Sequence, residues 1–191
     1  VLTSAGANLP QTFAAAGGGI WAVPENGTGS PSSVTSFSLT NITTTKLNKL
    51  YINALTGING NLKFEASTDN GTTWDQTANY YYTLEWMRSH SASPTNSIAN
   101  TYTSIQLIGG HTHSNNALDQ GMLEITMDKS SDTNRWTTLN YTYSSYDHSN
   151  GYKAIHAYGT GVFGKTTPIN ALRIISSNAT FSCDYILTEL N

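Results

Sequence analysis

A chain of 191 residues with 38% hydrophobic and only 11% charged positions can bury a core, but it supplies few of the ionisable groups that catalytic sites cluster. Nine Lys and Arg against twelve Asp and Glu leave a net charge of −3, so the basic surface that nucleic-acid binding requires is missing. The single cysteine, Cys183, excludes an intrachain disulfide and a cysteine metal site, and the run Ala14–Val23, broken by three glycines, is too short to span a bilayer.

Residues 1–33 read as an extended arm. Leu9-Pro10, Gly17-Gly18-Gly19, Pro24 and Asn26-Gly27-Thr28-Gly29-Ser30-Pro31 are turn and loop formers, with Phe13, Ile20, Trp21 and Val23 as scattered apolar anchors. Such a segment orders by lying on something else, either the body of the protein or a neighbour. No basic stretch precedes its apolar run, so no secretory signal is read there.

From Val34 onward the pattern is strand after strand, with Ser, Thr and Asn filling about a third of the chain. Expected strands are Val34–Thr40, Lys46–Ala54, Leu62–Thr68 and Tyr80–Met87. In the third, Leu62, Phe64 and Ala66 share one face and Lys63, Glu65 and Ser67 the other. Ser89–Asn100 reads as a polar loop, followed by strands Thr103–Ile108, Gly121–Met127, Arg135–Tyr143 and Tyr152–Tyr158. Ile169–Ser176 and Thr180–Leu190 are expected to close the chain as a hairpin across Ser177-Asn178. No fixed repeat is present, which argues against a propeller or solenoid. The expected fold is all-β: a two-sheet antiparallel sandwich, jelly-roll-like, formed by one domain over 34–191 with the arm over 1–33.

Ser67-x-Asp69-x-Gly71-x-Thr73-Trp74 matches the Asp-box turn that recurs in sialidases. Its physics is that of a hairpin turn: Asp69 accepts from turn amides, Gly71 takes a positive φ, and Trp74 folds back over the loop. One copy and three arginines (Arg88, Arg135, Arg173) do not make a sialidase.

His111-Thr112-His113 has the spacing that puts two imidazoles on one strand face, with His90 and Asp119 as nearby further ligands. Gly109-Gly110 before it and Ser114-Asn115-Asn116 after it make it a polar loop of solvated histidines; at a trimer axis the pair would instead meet its copies. Glu65, Asp69, Asp75 and Glu85 lie close in sequence, yet Glu65 alternates outward and Asp69 belongs to the turn, so no acid pair for glycoside hydrolysis is read. Cys183 sits in a strand pattern as a core residue, and there is no nucleophile elbow or phosphate loop. No catalytic, cofactor or metal residue is therefore assigned. The tyrosines Tyr80, Tyr81, Tyr82, Tyr141, Tyr143, Tyr146, Tyr152 and Tyr158 exceed what the core needs. Alternation buries about half; the rest suit an oligomer interface better than a glycan platform.

Three stretches carry a resemblance. They are Leu62-Lys63-Phe64-Glu65-Ala66-Ser67-Thr68-Asp69-Asn70-Gly71, then Gly121-Met122-Leu123-Glu124-Ile125-Thr126-Met127, and finally Ile169–Ile174 followed by Asn178–Leu187. Together they resemble a β-sandwich domain of bacteriophage structural proteins, with Cys183 and Asp184 replacing the small residues usual there. The resemblance implies a non-enzymatic virion protein, commonly a homotrimer, on the outer surface of the particle. Lacking heptads or a repeat shaft, the chain fits a capsid decoration (cement) protein that contacts the major capsid protein or other virion proteins. The alternative is a tail-associated receptor- or carbohydrate-binding module. No nucleic acid, membrane or cofactor is expected as a partner.

Overall fold

Alternating apolar residues, not helix propensity, set the architecture. The computed structural model describes residues 21–23, 27–43, 47–57, 59–89, 95–112, 120–128, 135–147, 153–177 and 179–190. Among them are thirteen strands and no helix. They are β1 (Trp21–Ala22), β2 (Thr28–Gly29), β3 (Ser36–Leu39), β4 (Asn48–Thr56), β5 (Asn59–Ser67), β6 (Tyr80–Arg88) and β7 (Thr95–Tyr102), then β8 (Ile105–Thr112), β9 (Gly121–Asp128), β10 (Thr137–Asp147), β11 (Lys153–Phe163), β12 (Ala171–Ser176) and β13 (Ser182–Leu190).

The strands form a nine-stranded sheet in the order β1-β13-β4-β9-β10-β11-β6-β7, with β2 also on β13, and a four-stranded sheet β3-β12-β5-β8. Eight of them define the topology. Among β2, β3, β4, β5, β8, β9, β12 and β13, the first pairs with the last (β2 with β13), the second with the seventh (β3 with β12), the third with the sixth (β4 with β9), and the two middle ones with each other (β5 with β8). All these pairs are antiparallel. This is a long hairpin rolled into two facing sheets, the jelly roll. Two further hairpins are added to it: β6–β7 between the middle strands, and β10–β11 between β9 and β12. Both extend the large sheet on the same side, beyond β9.

The core lies between the sheets. Leu50 and Ile52 of β4, Leu123, Ile125 and Met127 of β9, and Tyr141 and Tyr143 of β10 face Leu62 and Phe64 of β5, Ile105 of β8 and Leu172 and Ile174 of β12. Each fully buried Leu, Ile or Phe contributes roughly 1.5–3 kcal/mol of transfer free energy. The Tyr141 hydroxyl joins the layers directly, lying 3.0 Å from the Thr83 carbonyl of β6 and 2.8 Å from the Gln106 carbonyl of β8.

The described parts of the arm, residues 21–23 and 27–33, lie along the body. Trp21 and Ala22 pair with Leu190 and Glu189, and Thr28 and Gly29 with Ile186 and Tyr185. Cys183 N donates to Pro31 O (3.0 Å), and Val34 bridges Phe181. The arm therefore supplies the first strand of the jelly roll.

Two expectations about elements are corrected. Ser89–Asn100 is not all loop, because β7 starts at Thr95 and pairs with β6. An edge strand with a wet face is as polar as a loop: Ile98 is 75% exposed, while Ala99 points inward and is buried. Ile169–Ser176 and Thr180–Leu190 do not form a hairpin, since β12 pairs with β3 and β5 while β13 pairs with β1, β2 and β4. Both strands are apolar on the face that meets the core, but they approach it from opposite layers. Asn178 of that connection lies outside the described residues.

Candidate functional site

The added hairpins give the large sheet a broad outer face, and its side chains follow from register. One outward row runs across five strands as Glu124, Thr142, Tyr158, Glu85 and Asn96, on β9, β10, β11, β6 and β7 in turn. The next runs as Thr126, Asn140, Thr160, Thr83 and Ile98. Together they line a groove of about 510 Å³, bordered by β9 on one side and by the edge strand β7 on the other. Its floor carries the short polar side chains Asn140, Thr142 and Thr160 beside the Tyr158 ring.

Tyr158 is the exposed aromatic side chain on that floor among the described residues, 42% exposed, whereas Tyr141 beneath it is buried. Its hydroxyl donates to Glu85 Oε1 at 2.6 Å on the directly opposed strand, which holds the ring over β6. That hydrogen bond also raises the Tyr158 pKa above the usual phenol value. The Thr83 and Thr160 hydroxyls meet at 2.9 Å. Glu124 is matched by Lys49 at 2.9 Å, a half-buried pair at the border of the groove. No Lys, Arg or His lines the groove among the described residues. Towards one end of the strands, Tyr81 stacks on Trp136 with ring centroids 5.9 Å apart and planes within 3°, leaving Trp136 49% exposed.

The turn after β5 has the expected internal chemistry in a different setting. Ser67 Oγ donates to Asp69 Oδ1 (2.6 Å), and Asp69 also accepts from Thr73 N (2.9 Å) and Thr73 Oγ1 (2.5 Å). These bonds hold the Asp69 carboxyl down at about 2. Gly71 has φ +83°, and Trp74 closes over it. The turn is not a hairpin, however: β5 belongs to the small sheet and β6 to the large one. It is a corner between layers, secured where Asp75 N donates to Ala66 O (2.9 Å) and where the Tyr80 hydroxyl accepts from Ala66 N (2.9 Å) and donates to Asp75 O (2.8 Å). Asn70 N donates to Asn170 Oδ1 (2.7 Å), and Asn41 and Asn70 exchange bonds of 2.6 and 2.7 Å, so three loops are tied together.

The four carboxylates singled out in the sequence have separate partners. Glu65 alternates outward as expected, yet it is only 6% exposed, because the turn folds back over it. There it is gripped by Arg173, whose Nε donates at 3.0 Å and whose guanidinium lies over the Trp74 ring. Asp75 pairs with Lys165, Asp69 serves the turn, and Glu85 serves Tyr158. Cys183 is buried, and desolvation pushes its thiol up to about 12, so it is packing and not chemistry.

β8 continues through Gly109 and Gly110 to Thr112, with His111 paired opposite Gly60. The expected loop thus begins later than Gly109, because a strand pairing with β5 absorbs the glycines. His113, His90 and Asp119 lie outside the described residues. Among the described residues, no three His, Cys, Asp or Glu side chains are grouped to hold a metal ion.

Of the surplus tyrosines, Tyr80, Tyr82, Tyr141 and Tyr143 are buried, Tyr146 and Tyr158 are exposed, and Tyr152 lies outside the described residues. The groove itself was not read from the sequence. Its polar alternation is visible strand by strand, but nothing local says that β11 lies against β6. Comparison with protein families, curated proteins and solved structures gives no match to this chain.

Proposed function

We propose that the chain is a non-enzymatic structural protein on the outer surface of a bacteriophage particle, acting as a capsid decoration protein. The observation that carries this reading is the strand order. First-with-last pairing of eight strands in two sheets makes a jelly roll, an architecture that viral capsid domains share with lectins. The argument is one of fold-level analogy, and the resemblance of the stretches Leu62–Gly71, Gly121–Met127, Ile169–Ile174 and Asn178–Leu187 to phage structural domains adds to it. In this reading the protein is a homotrimer, and its partner is the major capsid protein or another virion protein.

The test is an electron-microscopy map of the source particle together with light scattering of the purified chain. Density at local symmetry axes of the shell and a mass three times that of the chain are expected. Density only at the tail tip, or a monomer at micromolar concentration, overturns the decoration reading.

A further inference from the structure

The geometry points to the outer groove of the large sheet as a binding site for a neutral oligosaccharide, whatever position the chain holds on a particle.

Size comes first: about 510 Å³ falls within the usual range of ligand sites, and the lining spans five strands from β9 to β7. Lining chemistry narrows the class. Thr83, Thr126, Asn140, Thr142 and Thr160 present hydroxyls and an amide that both donate and accept, the functional groups that answer sugar hydroxyls. Their placement is regular, because neighbouring strands are about 4.8 Å apart and outward residues along a strand about 6.7 Å. That grid is on the scale of a pyranose ring and its exocyclic groups.

Tyr158 adds the flat apolar surface that the C–H face of a sugar prefers, and its tie to Glu85 means the ring is already held before a ligand arrives. Ile98, 75% exposed on the edge strand, offers an apolar border. Charge then excludes the alternatives. The acidic side chains are Glu85 and Glu124, with Lys49 matching the second, and among the described residues no cation lines the groove to receive a phosphate, sulfate or acidic sugar. A peptide would find exposed apolar side chains only at Ile98 and Tyr158, with Thr and Asn at the outward positions between them.

The test uses the full chain. An array of neutral and acidic glycans is screened first, and the best neutral series is titrated into isotope-labelled protein while backbone resonances are followed. Binding of a neutral series is expected, tighter for longer oligomers, with shifts concentrated at outward positions of β6, β10 and β11. Tyr158→Ala should weaken it at least about tenfold and Tyr158→Phe less, since the ring is kept and only its tether is lost. Asn140→Leu, on an exposed floor position, gives a second variant that leaves the core alone, and it should weaken binding by about the same factor. Binding only to acidic glycans, no neutral binder, shifts confined to another face, or full affinity in both Tyr158→Ala and Asn140→Leu overturns the proposal.

Discussion

Gly29 lies directly under the Tyr185 ring: a side chain there would place its first carbon 2.6 Å from the ring edge. The ring is also held from elsewhere, stacked on Phe37 at 4.9 Å with planes 1° apart. A residue of the arm is thereby locked to the strand that ends the chain.

Gly29→Val should therefore release β2 from β13 and cost about 1–3 kcal/mol, seen as a lower denaturation midpoint. Hydrogen exchange at Leu187, whose amide bonds to Gly27 O, should speed up far more than exchange in β5 or β12. Truncation of residues 1–33 should lower stability further, since it removes the first strand of the roll. Unchanged exchange at Leu187 in the Gly29→Val variant would show that the arm is not held this way.

Tyr141→Phe removes the hydroxyl that lies against the Thr83 and Gln106 carbonyls and so unties the two sheets at that point. The ring still fills its place, so the expected cost is about 1–2 kcal/mol in urea unfolding, with no change of fold. A loss under about 0.3 kcal/mol would mean that water serves those carbonyls equally well.

Arg173→Ala leaves Glu65 buried without its cation and should destabilise the protein by about 3–5 kcal/mol. Replacing both partners, Glu65→Leu with Arg173→Leu, should recover much of that loss. Equal instability of the single and double variants would locate the cost in lost packing on Trp74 instead.

Acid should loosen the Asp69 turn in a defined window. The carboxyl titrates near 2 folded against its ordinary 3.8, so the bonds from Ser67 and Thr73 stabilise the fold fully above about pH 4. That contribution fades as pH falls through 2. The melting temperature of the wild type should exceed that of Asp69→Asn by a constant margin above about pH 4, and the two curves should converge towards pH 2. A margin that stays constant down to pH 2 would contradict this account.

Much of the fold is legible residue by residue. Leu62, Phe64 and Ala66, or Leu123, Ile125 and Met127, declare their inward faces by alternation alone, and the structure buries all six. What alternation cannot give is layer membership. β12 and β13 look like a hairpin because they are close in sequence and equally apolar, whereas the rolled topology sends them to opposite sheets. Thr95–Tyr102 stays hidden for the opposite reason, since its wet face and edge position give it the polarity of a loop. The groove is harder still: Tyr158 and Glu85 meet across 73 residues of chain, and only the pairing of β11 with β6 brings them together.

That pairing has a consequence for how such a molecule can change. The hairpins β6–β7 and β10–β11 enter the chain at distant points, yet each covers the other, β11 on β6. Deleting β10–β11 alone would remove what joins β6 to β9, whereas deleting β6–β7 would only leave β11 as the sheet margin in place of β7. The hairpin β6–β7 thus depends on β10–β11 for its seat in the sheet, and not the reverse. The eight-strand frame closes on itself without them, so the outer face can diverge while the roll beneath stays as it is.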